Sequence, residues 1–234
     1  MFHNSLSEWL HRSREARDKF KQNMVSASHR PRPLIQIFPT RSIFVSPGDI
    51  GRAYDYWLRM VCITINRLGK KQFREFLGCK TYYERMYQAH PDFKGAMDQC
   101  LAAFDSCYGS KRFLDRTLLR SALILGYFER EYRTEQPVFA QNLNVNEESI
   151  DELAKLAKGS DTSWVVGEVI LNPVFGLKGP KGTLAGDGDL IVDGTLYDLK
   201  TSREFRPLET LRQLIGYVAM NSFLRNRSHL SGRF

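Results

Sequence analysis

The sequence predicts an α/β (α+β) fold in which helices come first and a small sheet follows. Three observations predict it. Apolar residues between positions 50 and 65 recur every three or four places. The pattern turns β-branched and nearly continuous after Lys158-Gly159. Asp193-Gly194 then stands between two short apolar runs that alternate. The first spacing is one face of a helix, the second a strand, and the third a tight hairpin.

In chain order, residues 1–24 carry helical charge spacing, and prolines 31, 33, 39 and 47 make the next stretch an extended linker with room for one strand. Ser46-Pro47-Gly48-Asp49 is a helix start, and Ile50, Tyr54, Leu58, Val61 and Ile65 form the face behind it. Further helices are expected over 70–78, 81–89, 92–108 and 111–133. Asn146 is placed to cap "EESIDELAKLA", whose acids fall in the first turn and whose lysine comes later, as the helix dipole prefers. "SWVVGEVILNPVFG" reads as a strand ending at Asn172-Pro173, and "LKGPKGTLAGDG" as a glycine-rich turn region. Pro207 opens a last helix, with Leu208, Leu211, Ile215 and Val218 as its packing stripe. This organisation divides into a mainly helical region, 1–110, and a helix-and-sheet core, 111–234.

Composition narrows the class. The chain has 234 residues, 42% of them hydrophobic and 12% aromatic, an ordinary globular mix. No apolar run reaches the ~20 residues that span a bilayer, and the start is charged from residue 8 onward with no apolar signal segment, so a cytoplasmic protein without membrane attachment is expected. The four cysteines, 62, 79, 100 and 107, include no CxxC pair. Buried free thiols are therefore expected, with no zinc or iron–sulfur cluster. A net charge of +8 favours a polyanionic partner but does not identify one. The glycines and lysines of "GLKGPKG" lack phosphate-loop spacing, and the five histidines are scattered.

The chemistry concentrates in "GDGDLIVDGTLYDLKTS", residues 186–202. A two-residue loop at 193–194 sets Val192 opposite Thr195. Counting outward, Asp189 faces Asp198, and Asp187 faces Lys200. Alternation puts Asp187, Asp189, Asp198 and Lys200 on one face and Leu190, Val192, Tyr197 and Leu199 on the other. Opposed aspartates have Cβ atoms only ~4.5–5.5 Å apart and repel. A hard divalent cation, Mg²⁺ or Mn²⁺, turns that repulsion into a binding site. Lys200 reaches the same place, where it can orient a water or neutralise a phosphate. The bland alternative is a solvated strand face with an Asp187–Lys200 ion pair.

Asp189, then Asp198-Leu199-Lys200, then "QLIGY" from Gln213 to Tyr217 resembles the PD-(D/E)xK nuclease superfamily, within it the RecB-like exonuclease group. The likeness covers residues 189–217. It implies a restriction-endonuclease-like core, with a small mixed central sheet flanked by helices. It also implies Asp189, Asp198 and the Leu199 backbone carbonyl as Mg²⁺ ligands (Mn²⁺ substituting), Lys200 as the catalytic lysine, and Gln213 and Tyr217 bracketing the site. Positions four apart do share a helix face. The family adds an upstream acid, for which Glu129, in "LILGYFERE", leads narrowly over Glu168, in an apolar run. Two departures stand out. Gly188 occupies the position of the naming proline, and the strand that follows the QxxxY helix has only residues 229–234 as a short counterpart.

The function expected on these grounds is metal-dependent hydrolysis of DNA phosphodiesters, with RNA as an alternative substrate. Arg203, Arg206, Arg212, Lys178 and Lys181 are candidates to hold phosphates. The competing reading is a nuclease-fold DNA-binding or scaffolding protein without catalysis. The helical N-terminal region is the candidate surface for a protein partner, and the oligomeric state is left open.

Overall fold

The computed structural model of the chain describes residues 4–5, 46–69, 91–134, 144–179, 182–199 and 216–217. Its helices between residues 47 and 159 lie in one compact unit, within Ile35–Val169. The strands from Ile170 to Asp198 lie in a second unit, together with residues 4–5 and 216–217.

In the helical unit, proline at a first helical position costs no hydrogen bond. Helix α1, Pro47–Ile65, begins that way after Ser46, as its sequence predicts. The expected single apolar face is too modest a description. Tyr56 through Thr64 are all buried, so the second half of α1 is a central helix, covered all round. That position explains a buried charge. Arg59 is 7% exposed and ion-paired with Asp55 one turn earlier, with its guanidinium also over the Tyr56 ring. Burial opposes its charge, but Asp55 and the neighbouring acidic groups outweigh that and hold its pKa above the ordinary value. At the helix start Asp49, 4% exposed, accepts from Arg52 Nη2 at 2.5 Å and from Arg130 Nη1 at 2.6 Å.

Helix α2 spans Pro91–Ser110 and α3 spans Arg116–Thr134. The helix expected from residue 111 starts later. Lys111 takes a left-handed φ of 57°, and the Asp115 carboxylate accepts from the Thr117 amide at 2.8 Å, which makes Asp115 the cap. Trp57 Nε1 donates to the Phe113 carbonyl at 2.8 Å and ties this turn to α1. The most extensive helix packing is α1 on α3. The two cross closely at Gly126, where a Cβ would stand 3.1 Å from the Ala53 nitrogen. Helix α4, Glu147–Gly159, is capped as expected, Asn146 accepting from the Ser149 amide at 2.8 Å.

Three of the four cysteines, 62, 100 and 107, are buried free thiols, as expected; Cys79 lies outside the described residues. The Asn66 carboxamide donates to the Val165 carbonyl at 2.7 Å and accepts from the Gly167 amide at 2.9 Å. It thereby fixes the turn, Ser163–Val165, through which the chain leaves the helices. Among the described residues, no helix is long and apolar enough to cross a membrane.

In the other unit, β1 (Asn4–Ser5) pairs in parallel with β4 (Gly182–Asp187), which pairs antiparallel with β3 (Val174–Gly179). A second group runs β2 (Val169–Leu171), β5 (Leu190–Val192), β6 (Thr195–Tyr197). The molecule is thus helical with small, mainly antiparallel sheets, an α+β arrangement. Two expectations change. Residues 4–5, expected within a helix, are strand. The glycine-rich stretch expected as a turn is largely the β3–β4 hairpin. Glycine weakens a strand, but pairing with β3 on one side and β1 on the other satisfies β4's backbone.

Candidate functional site

A type I′ hairpin turn needs positive φ at both central residues, and Asp193 and Gly194 have φ of 47° and 76°. The turn fixes the register: Val192 pairs with Thr195, Ile191 with Leu196 and Leu190 with Tyr197. Continued by one residue, the same register sets Asp189 opposite Asp198, the arrangement read from the sequence. Burial alternates as predicted on β5 but not on β6, where Thr195 is exposed and Leu196 and Tyr197 are both half-buried. Leu190 and Val192 are 2% and 3% exposed, whereas Asp189 and Asp198 are half-buried. Leu199 is half-buried too.

Asp189 stands one place before β5 on an anchored backbone. Its carbonyl accepts from the Asn172 amide at 3.2 Å, and the preceding Gly188 amide donates to the Pro173 carbonyl at 2.9 Å. A Cβ on Gly188 would lie 3.0 Å from Leu196 Cδ1, 3.1 Å from Pro173 Cγ and 3.2 Å from Phe175 Cε2. Proline at 188 would lose the amide bond and find no room. The Tyr217 ring stacks on Phe175, with centroids 5.0 Å apart and planes at 18°, and is 3% exposed. Tyr217 therefore supports, through Phe175, the glycine that precedes the acid.

The remaining expected residues divide as follows. Glu129 lies half-buried on α3, near enough for its charge to help hold the Arg59 guanidinium protonated. Glu168, expected mid-strand among apolar side chains, stands one place before β2 and is exposed, because Gly167, with φ of 144°, delays the strand. The cost of burying a charge therefore gives no reason to favour it. Both glutamates belong to the helical unit and both acids of the hairpin to the other. Lys178 occupies a β3 position paired with Thr183. Lys181, Lys200, Arg203, Arg206, Arg212 and Gln213 lie outside the described residues, as does the expected pairing of Lys200 with Asp187. Asp187 itself ends β4 opposite Val174.

Sequence reasoning took Asn172-Pro173 for the end of a strand and missed its part in holding Asp189. The signal was present, since asparagine is among the few residues that accept left-handed backbone. Among the described residues, no group of three or more His, Cys, Asp or Glu side chains is placed to hold a metal ion. No family model, curated protein or solved structure matches the chain.

Proposed function

We propose that the protein is a metal-dependent nuclease that hydrolyses DNA phosphodiester bonds, built on a restriction-endonuclease-like core and working in the cytoplasm. The observation that carries this reading is the opposed pair Asp189 and Asp198, set by the register of the Asp193-Gly194 hairpin. A stable sheet has no use for facing carboxylates, and hard oxygen donors in that number suit Mg²⁺, which commonly takes one or two carboxylates and completes its shell with water and phosphate.

Asp189 and Asp198 would hold the ion, with the Leu199 carbonyl beside them. Bound there, Mg²⁺ supplies Lewis acidity toward a phosphoryl oxygen and lowers the pKa of its water. Lys200 orients the attacking water and offsets charge on the phosphate. The water oxygen bonds to phosphorus as its proton passes to solvent, and the P–O3′ bond breaks, the 3′ oxygen taking the electron pair and a proton from solvent to leave as a hydroxyl, with a 5′-phosphate on the other product, as the family likeness implies. Gln213 and Tyr217 flank the site from the last helix, Glu129 or Glu168 supplies the further acid, and Arg203, Arg206, Arg212, Lys178 and Lys181 hold neighbouring phosphates.

The test is cleavage of linear and circular DNA, single- and double-stranded, with Mg²⁺ or Mn²⁺, comparing the natural protein with Lys200→Ala and Asp198→Ala. Metal-dependent cutting that both substitutions abolish, with DNA binding retained, is the expected result. DNA binding without cutting by the unaltered protein, whatever the metal, would leave a binding module in its place.

A further inference from the structure

A regular antiparallel ladder bonds alternate residue pairs, both bonds to one pair and none to the next. The β3–β4 pairing runs from Gly179↔Gly182 to Val174↔Asp187. With no slip, the next two positions bring Pro173 opposite Gly188 and Asn172 opposite Asp189. Each of these consecutive pairs gives a single bond, Gly188 N–H to the Pro173 carbonyl at 2.9 Å and Asn172 N–H to the Asp189 carbonyl at 3.2 Å. Two consecutive bonded pairs break the alternation, so the chain passes from the β3–β4 sheet to the β2–β5–β6 sheet through a bend at Asn172 and Asp189 that these two bonds hold.

The bend has an identifiable cause. Asn172 has φ of 47°, in the left-handed region. A residue before proline is normally driven to extended backbone, and left-handed non-glycine residues carry a strain of ~1 kcal/mol or more. Pro173 brings no N–H to the ladder, so only its carbonyl can hold the facing strand. On that strand Gly188 offers no side chain, and the space a Cβ would need is taken by Leu196, Pro173 and Phe175. The next residue after the tight spot is Asp189.

We infer that Asn172 is a positioning residue for the acid pair: its left-handed backbone makes the bend that aims Asp189 toward Asp198, and its amide holds that aim. The inference rests on the reading of Asp189 and Asp198 as metal ligands. The property that matters is the backbone angle. Glycine and aspartate, which tolerate that angle, should serve at position 172, and alanine should not.

The experiment titrates Mn²⁺ by electron paramagnetic resonance and calorimetry into the full chain and into Asn172→Gly, Asn172→Asp and Asn172→Ala, with thermal melts of each. Expected are Mn²⁺ affinities within about threefold of the unaltered protein for Gly and Asp. For Ala a loss of about tenfold or more is expected while it remains folded, the range typical of groups that orient a ligand. If Ala binds as tightly as Gly, the inference fails. It fails equally if Gly is weakened as much as Ala, because the side chain and not the backbone angle would then matter. If the unaltered chain binds no Mn²⁺, the nuclease reading itself falls, a result visible before any variant is compared.

Discussion

Tyr217 has a packing role that one atom can separate from any chemical one. Its ring is 3% exposed and stacked on Phe175. Tyr217→Phe keeps that surface and should leave stability within about 1 kcal/mol, whereas Tyr217→Ala should lose ~3 kcal/mol, the usual cost of deleting a buried ring. Urea melts of the two variants check this, and equal stability would show that the stack carries no weight. Gly188 makes a sharper case. Gly188→Pro removes the amide bonded to the Pro173 carbonyl and drives ring atoms into side chains already 3.0–3.2 Å from a Cβ position. A loss on the order of 3 kcal/mol or more is expected from the unsatisfied carbonyl and overpacking together. A melt unchanged from the natural protein would refute that account. At this scale the facing aspartates were legible because a two-residue turn leaves one register open. The exposure of Glu168 and the role of Asn172 were not, because both depend on backbone angles at 167 and 172 that no side-chain pattern records.

Among the elements, legibility followed the strength of local signals. Helices α1 and α4 announce themselves through Pro47 and Asn146, which satisfy helix starts in known ways. The β3–β4 hairpin stayed hidden because "GLKGPKGTLAG" has neither alternation nor β-branched residues. Its strands exist because their neighbours pair with them, a tertiary cause. The one-face reading of α1 failed for a similar reason, since the helices packed on it bury the sides that its polar residues seemed to assign to solvent. The crossing of α1 and α3 depends on Gly126, where a Cβ would meet the Ala53 nitrogen at 3.1 Å and Arg52 Cβ at 3.2 Å. Backbone cannot move aside as a flexible side-chain end can. Gly126→Val should therefore push the helices apart and cost about 1–3 kcal/mol despite valine's better helix propensity. A fall in Tm of several degrees is expected. An unchanged or higher Tm would mean that the crossing has slack.

For the molecule as a whole, the division into two compact units gives alkaline pH an unequal effect on them. All three described thiols, Cys62, Cys100 and Cys107, lie in the helical unit. Burial favours the neutral thiol, pushing Cys62 and Cys100 from an ordinary 9.0 up to about 12 and Cys107 to about 11. Desolvation raises the Tyr54 and Tyr127 phenols as well, in the same unit. Below pH 9 these groups are protonated whether the chain is folded or not, and stability does not depend on them. Between pH 9 and about 11 the unfolded chain releases thiol protons that the folded one keeps, so the unfolded state is favoured as pH rises. Each of Cys62 and Cys100 then removes up to ~1.4 kcal/mol per pH unit. Trp57, 2% exposed on α1, reports on the helical unit once Trp9 and Trp164 are replaced by Phe, the background in which both proteins are compared. Its fluorescence in urea melts should give a midpoint that is flat from pH 7 to 9 and falls steeply toward pH 11. Cys62→Ala with Cys100→Ala should shorten that fall by the two thiols' share, even though the small cavities lower the midpoint at neutral pH. A midpoint with the same pH dependence in both proteins would mean that the buried thiols are not what couples the helical unit to alkali.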